Sequence, residues 1–352
     1  MNNGASDVEL GRAAINGALG RFLESERVRE SFAPLGAGLL EDFAAFVLGE
    51  GKRFRPLLVL ASWRGLGPGP VSDPQVPLGV GVALELFHTF LLIHDDIIDD
   101  ADMRRGAATL RRRLADRHAA DANARRLGDH LAIILGDICF TLALEHLNAL
   151  PMPDPIARTV LTELLRYARL TGVGQVMDVA AAAQPLGGVT GEQILLCYDL
   201  KTAQYTIECP LVLGAMLAGA TDVEMDALRR YARALGVAYQ IRDDLIGVSR
   251  EVGEKSGTLD FEQGRQTLLL ALTLEGAHPQ GRRWLEERFG AGALSAPDAE
   301  RLLELYRTTG AVEVIEGRIA RLRQEALEAL GALDEGSGAQ RLRALVHQLV
   351  PV

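Results

Sequence analysis

Two acidic clusters, each closing a long apolar run, limit what this chain can fold into. Asp95-Asp96-Ile97-Ile98-Asp99 ends the run Val80 to Ile93 and leads into Asp100, Asp102 and the basic pair Arg104-Arg105. Tyr239-Gln240-Ile241-Arg242-Asp243-Asp244 follows the apolar stretch Leu228 to Ala238. Asp95 and Asp99 are four apart, which on a helix puts both carboxylates on one face, one turn apart. Like charges so placed repel unless a cation neutralises them. Hard oxygen ligands suit Mg²⁺, which uses one or two protein carboxylates and completes its shell with water and substrate phosphates. A single such cluster reads equally well as a solvated helix end. Two of them, facing one another across a cavity, would form a cage for several Mg²⁺ ions and a diphosphate.

The rest of the chain fits that geometry. Ala, Leu, Arg and Glu dominate and no alternating β-branched segments recur, so helices are expected almost throughout. Breakers fall at Pro34-Leu35-Gly36, Gly65 to Pro77, Pro151 to Pro155, Pro185 to Gly191, Gly219 to Asp222, Gly253 to Gly257 and Gly276 to Gly281. Thr190 with Gln193 three residues on has the form of a capping box. No linker separates domains, so residues 1–352 are expected to form one all-α helical domain around a central apolar cavity. Apolar residues make up 48% of the 352, enough for a sizeable core. The net charge of −10 argues against a nucleic-acid binder. Cys139, Cys197 and Cys209 show no paired or ligand spacing, which suits small buried hydrophobes in a reduced, cytoplasmic protein. The N-terminus lacks a signal pattern, and Glu85 and His88 break the longest apolar run, so no transmembrane segment is expected.

Further charged residues sit where phosphates could use them. Gly51-Lys52-Arg53-Phe54-Arg55-Pro56 puts three cations in four residues before an apolar stretch. His88 lies seven residues before Asp95, two turns along the same face. Gly174-Gln175-Val176-Met177-Asp178 adds a carboxylate in a small-residue setting. Lys201-Thr202 falls inside an apolar helix expected over Ile194 to Cys209, where a lysine needs an anionic partner. Lys255 and Arg265, in and after a Gly-rich loop, could close over a phosphate.

Taken in order, Gly-Lys-Arg-x-Arg-Pro, His, Asp-Asp-x-x-Asp with Arg-Arg-Gly, Gly-Gln-x-x-Asp, Lys-Thr and Gln-x-x-Asp-Asp resemble the trans-isoprenyl diphosphate synthases of the polyprenyl synthetase family. The resemblance spans about Gly51 to Thr267. It implies an all-α fold, a homodimer with early helices in its interface, and head-to-tail condensation of isopentenyl diphosphate with an allylic diphosphate. It implies three Mg²⁺ ions, ligated by Asp95 and Asp99 with Asp96 in support and by Asp243 with Asp244 beside it. Gln175 and Asp178 would lie in the same cage. Arg104, Lys201 and Lys255 would contact the allylic diphosphate. Lys52, Arg55, His88 and Arg105, with Arg53 beside them, would hold isopentenyl diphosphate. Thr202 and Gln240 match positions that stabilise the allylic cation.

The chain departs from the family pattern in places. The third Asp of the second motif is Gly247, with Glu251 nearby, and Ala107-Ala108-Thr109 replaces the usual Pro after Arg-Arg-Gly. A family Lys in the loop that follows is Arg265. Product length is expected from the floor of the pocket. At ~1.5 Å per residue, Leu91 and Phe90 lie roughly 6 and 7.5 Å along the helix from Asp95. In the family, paired aromatics there favour a C15 product; Phe90 with Leu91, and Phe87 a turn further, resemble the pattern of geranylgeranyl diphosphate synthases. Farnesyl or longer-chain synthesis, a class I terpene cyclase and a non-catalytic partner subunit are the competing readings. A cyclase would have no use for a second diphosphate site at Lys52, Arg55, His88 and Arg105.

Overall fold

The computed structural model of the chain describes residues 3–67, 69–249, 258–333 and 337–350. Helices run from one breaker to the next: α1 Asn3–Leu23, α2 Glu26–Phe32, α3 Ala37–Val47, α4 Phe54–Gly65, α5 Gln75–Ile98, α6 Leu110–Arg117, α7 Ala124–Asn148, α8 Asp154–Ala182 and α9 Gly191–Tyr198. After α10 (Cys209–Ala218) come α11 Asp222–Ser249, α12 Leu259–Glu262, α13 Leu268–Gly276, α14 Pro279–Arg288, α15 Ala296–Thr308, α16 Ala311–Ala329 and α17 Ser337–Leu349. Among the described residues the strands are β1 Met103–Arg104 and β2 Ala107–Ala108, paired antiparallel. The all-α expectation therefore holds. The capping box holds as well: Gln193 N–H donates to Thr190 Oγ1, and Thr190 N–H donates to Gln193 Oε1.

Contacts cluster into two units. The first comprises Met1–Thr162 with Leu213–Gly219, and the second Glu163–Val212 with Ala220–Val352. In the first unit α5 is the central helix, packed by α7, α4 and α1. Its burial over most of Val76–Phe87 explains why that stretch is apolar apart from Glu85. In the second unit α11 lies against α16 and against the segment that follows α9. Ile194, Ile241, Phe261, Trp284, Leu302 and Ile315 are among the side chains that close its core.

By length and composition alone α5 and α7 could span a bilayer. Most of α5's apolar stretch is buried, as in core helices, and Glu85 in its middle is ion-paired with Arg53.

One element departs from expectation. The single helix expected over Ile194 to Cys209 is α9, then a π-helix over Asp199–Glu208, then α10. Gln204 Nε2 donates to Asp199 Oδ2 at 2.6 Å, a side-chain clasp spanning five residues, the period of a π turn. Such a wide helix needs room on both sides. A Cβ on Gly174 of α8 would come within 2.5 Å of Lys201 N, and one on Gly236 of α11 within 2.5 Å of Ala203 Cβ. The two glycines are the recesses that seat Lys201 to Ala203. We predict that Gly236→Ala lowers unfolding stability by about 1–3 kcal/mol through overpacking. Denaturant melts read this directly; an unchanged midpoint would contradict the recess argument.

Candidate active site

The first unit builds one group of site residues around the C-terminal end of α5. Asp95 lies in the last turn and Asp99 caps it. Asp95 is partly exposed and Asp99 exposed, whereas Asp96 is 1% exposed. Arg104 Nε donates to Asp96 Oδ1 at 2.7 Å, and its Nη2 reaches Asp95 Oδ2 at 3.4 Å. Burial pushes the Asp96 carboxyl up to about 6 despite Arg104, with Asp95 and Asp99 adding to the rise. Asp96 therefore faces Arg104, and its geometry fits holding that arginine rather than ligating a metal itself.

The Arg-Arg-Gly motif is a hairpin. Arg104 pairs with Ala107, leaving Arg105-Gly106 as a two-residue loop with φ of 51° and 78°. Positive φ at both central residues is the primed turn that suits the twist of paired strands, and it accounts for the glycine. Ala107 and Ala108 form the return strand where the family carries proline. Arg105 Nη1 donates to Glu50 O at 2.7 Å, which brings the Gly49–Gly51 loop alongside.

Arg55, Arg105, Arg104 and Arg53 act electrostatically on His88, one turn after Glu85 on α5. Burial first, then these four cations, hold the His88 imidazole well below its usual range, so it is neutral at pH 7. Lys52 is exposed beside them. Arg53 is different. Its guanidinium is turned inward and donates to Asn16, Glu85 and Gly49 O, and only 6% of its side chain is exposed. That use of its three nitrogens removes Arg53 from the expected phosphate contacts.

Further down α5, Phe87 and Phe90 form an aromatic group with Phe140 of α7. The Phe90 and Phe140 centroids are 5.1 Å apart, and His94 meets Phe90 edge-on at 4.7 Å. Leu91 is half-buried beside this group.

The second unit brings together the other residues. Lys201 Nζ, on the π-helix, sits 2.5 Å from Asp178 Oδ2 of α8, one turn after Gln175. Thr202 Oγ1 donates to Gln240 Oε1 at 3.1 Å, and Gln240 Nε2 donates to Asp244 Oδ1 at 3.3 Å. The Tyr198 hydroxyl donates to Asp244 Oδ2 and accepts from Leu268 N–H. Asp244 is thus clasped on both oxygens, while Asp243 is exposed. Burial, with Asp260 and Asp243 adding to it, pushes the Asp244 carboxyl up to about 8. Asp260 is also raised, by burial and by Asp243 and Asp178, and Arg265 counters the rise. Lys255 and Glu251 lie outside the described residues.

Sequence reasoning missed Tyr198, Asp260, Glu85 and Phe140. For Glu85 the signal was available: a carboxylate in the middle of a buried apolar helix must have a partner. For Asp260 it was a carboxylate between two basic residues of the phosphate-closing loop. Tyr198 and Phe140 carried none, since both read as ordinary apolar helix positions.

The donor set fits a divalent cation. Burial and the neighbouring carboxylates raise the proton affinity of Asp244 and Asp260, a crowding that a divalent cation would offset. Among the described residues no three ligating side chains form a ready-made metal cluster.

A family model described as polyprenyl synthetase matches residues 38–306. Geranylgeranyl pyrophosphate synthase 11, chloroplastic, of Arabidopsis thaliana is 33% identical over 65% of this chain, and the match spans 62% of that relative's length. The short chain isoprenyl diphosphate synthase of Methanothermobacter thermautotrophicus is 30% identical over 93% of this chain and 94% of its own. The crystal structure of geranylgeranyl pyrophosphate synthase from Corynebacterium glutamicum, complexed with isoprenyl diphosphate and magnesium, superposes with a TM-score of 0.88. It is 29% identical, covering 97% of this chain and 99% of that one.

A carboxyl whose folded pKa is raised favours folding while protonated. For Asp244 that contribution is complete below the usual value of 3.8 and is lost as pH rises through about 8. Metal-free protein should therefore lose stability across that window, and Asp244→Asn should flatten the curve. Denaturant midpoints measured against pH check this; identical slopes in the two proteins would contradict it.

Proposed function

The chain belongs to the polyprenyl synthetase family, and from that premise we propose that it is a trans-prenyltransferase. It joins isopentenyl diphosphate head-to-tail to an allylic diphosphate, with geranylgeranyl diphosphate as the main product. The carrying observation is the arginine group around neutral His88, two turns before Asp95 on the same helix. It offers a diphosphate a cationic seat apart from the carboxylates, which an enzyme ionising a single diphosphate would not need. That favours condensation over cyclisation.

Bound Mg²⁺, three ions in this reading, neutralises the charge that develops on the departing allylic diphosphate. The residues here do the rest. Asp95 and Asp99 of the first unit, and Asp243 of the second, would offer carboxylate oxygens to metal ions. Asp96, buried, and Asp244, partly buried, hold Arg104 and Gln240 in place. Lys201, paired with Asp178, would turn to phosphate were Asp178 to ligate a metal. Thr202 and Gln240 present oxygen dipoles to the allylic cation. Lys52, Arg55, His88 and Arg105 fix isopentenyl diphosphate so that its double bond meets the cation in apolar surroundings. The released diphosphate accepts the final proton. Asp260 adds the carboxylate that Gly247 lacks.

The aromatic group of Phe90, Phe87 and Phe140 is the floor that this reading assigns to a growing chain, and it supports the C20 product. Exposed Ile133 and Ile134 on α7, at 41% and 56%, support a homodimer in which a second copy covers that face. The reading places the protein in the cytoplasm.

The test is product analysis with labelled isopentenyl diphosphate and Mg²⁺, offering dimethylallyl, geranyl and farnesyl diphosphates in turn. A C20 diphosphate is expected to accumulate. No elongation from any starter would overturn the assignment, and diphosphate released from a starter alone would favour a cyclase. Asp95→Ala should lower kcat by about a hundredfold or more by removing metal-borne charge stabilisation. Phe90→Ala should shift the product distribution beyond C20; an unchanged distribution would remove Phe90 from the floor.

A further inference from the structure

Arg53 has a left-handed backbone, φ 47°, at the residue just before α4. A residue with a side chain rarely adopts that conformation unprompted, so the surroundings must hold it there. They do so through the guanidinium, which ties three elements together. Nε donates to Asn16 Oδ1 of α1 at 2.8 Å, and Nη2 to Gly49 O, just beyond α3, at 2.9 Å. Nη1 donates to Glu85 Oε2 of α5 at 3.0 Å, with both partners 6% exposed. A buried arginine fork satisfied on three sides is a rigid joint. A buried carboxylate is kept charged only by such a partner.

The joint lies within the basic group. Lys52 precedes it and Arg55 follows two residues later. His88 stands three residues after Glu85 on α5. Arg105 feels Glu85 directly as a favourable charge, against the repulsion of Arg104, Arg53 and Arg55. A Cβ on Gly51 would come within 2.9 Å of Arg105 Nη1 and 3.4 Å of Arg53 Nη1, so two guanidinium groups flank that loop.

We infer that the Arg53–Glu85 pair is a positioning device for the isopentenyl diphosphate seat. It locks the left-handed turn that places Lys52 and Arg55, and Glu85 offsets the repulsion among the arginines before substrate phosphates arrive. The pair touches no substrate. This inference depends on the reading of that seat proposed above.

Glu85→Gln separates positioning from two other roles by sign. If Glu85 merely weakened the positive field, its neutralisation would lower KM for isopentenyl diphosphate. If it were only a structural tie, melting temperature would fall with KM unchanged. Positioning predicts that KM for isopentenyl diphosphate rises about tenfold or more, while the allylic KM holds and kcat stays within about threefold. Arg53→Lys, which keeps the charge but loses the fork, should reproduce that pattern. If Glu85→Gln fails to fold, Asn16→Ala, which removes one of the three bonds, should raise the same KM about two- to fivefold. An unchanged or lowered KM for isopentenyl diphosphate in a folded variant overturns the inference while leaving the prenyltransferase reading intact. Absence of elongation by the unaltered protein overturns both.

Discussion

Charge that is brought out of water must be met by opposite charge, and most of the site described here follows from that constraint. In the second unit Asp244 and Asp260 are pushed toward their protonated forms by burial and by their acidic neighbours. In the first unit four arginines crowd a neutral His88. Both groups are electrostatically frustrated as they stand. A divalent cation would relieve the first, and the diphosphate of a second substrate would relieve the second. The frustration is held in place by local clasps: Tyr198 and Gln240 on Asp244, Lys201 on Asp178, and Arg104 on Asp96.

The helical architecture was legible because its punctuation is chemical. Proline and glycine clusters end helices for backbone reasons that do not depend on the rest of the fold, and α7, α8, α9 and α14 begin or end where those clusters stand. The capping box at Thr190 and Gln193 was readable for the same reason. The π-helix was not. Its cause is spread over Asp199 with Gln204 and the glycines at 174 and 236, which only the packing of three helices brings together. Sequence periodicity sees an apolar stretch there and cannot register one widened turn.

The site was legible as residue types and less so as roles. Asp95 and Asp99 stand at the C-terminal end of α5, Lys201 pairs with Asp178, and Thr202 and Gln240 are joined by a hydrogen bond. Asp96 and Arg53 illustrate the limit. Both carry the right charge at a motif position, yet both are buried and turned to internal partners, Arg104 and Glu85. A one-residue change of phase on a helix separates a carboxylate that faces a ligand from one that holds an arginine. Glu85 illustrates the converse, an acidic residue in an apolar run that stands beside the cationic group.

The central claim is that these carboxylates bind diphosphate only through a divalent cation, while the arginine seat needs none. Calorimetric titration of the full chain with a non-ionisable allylic thiodiphosphate, with and without Mg²⁺, tests it most directly. Tight binding is expected in the presence of Mg²⁺ and at least a hundredfold weaker binding without it, about 2.7 kcal/mol. Asp95→Ala is expected to abolish the difference. Equal affinity under both conditions would contradict the claim.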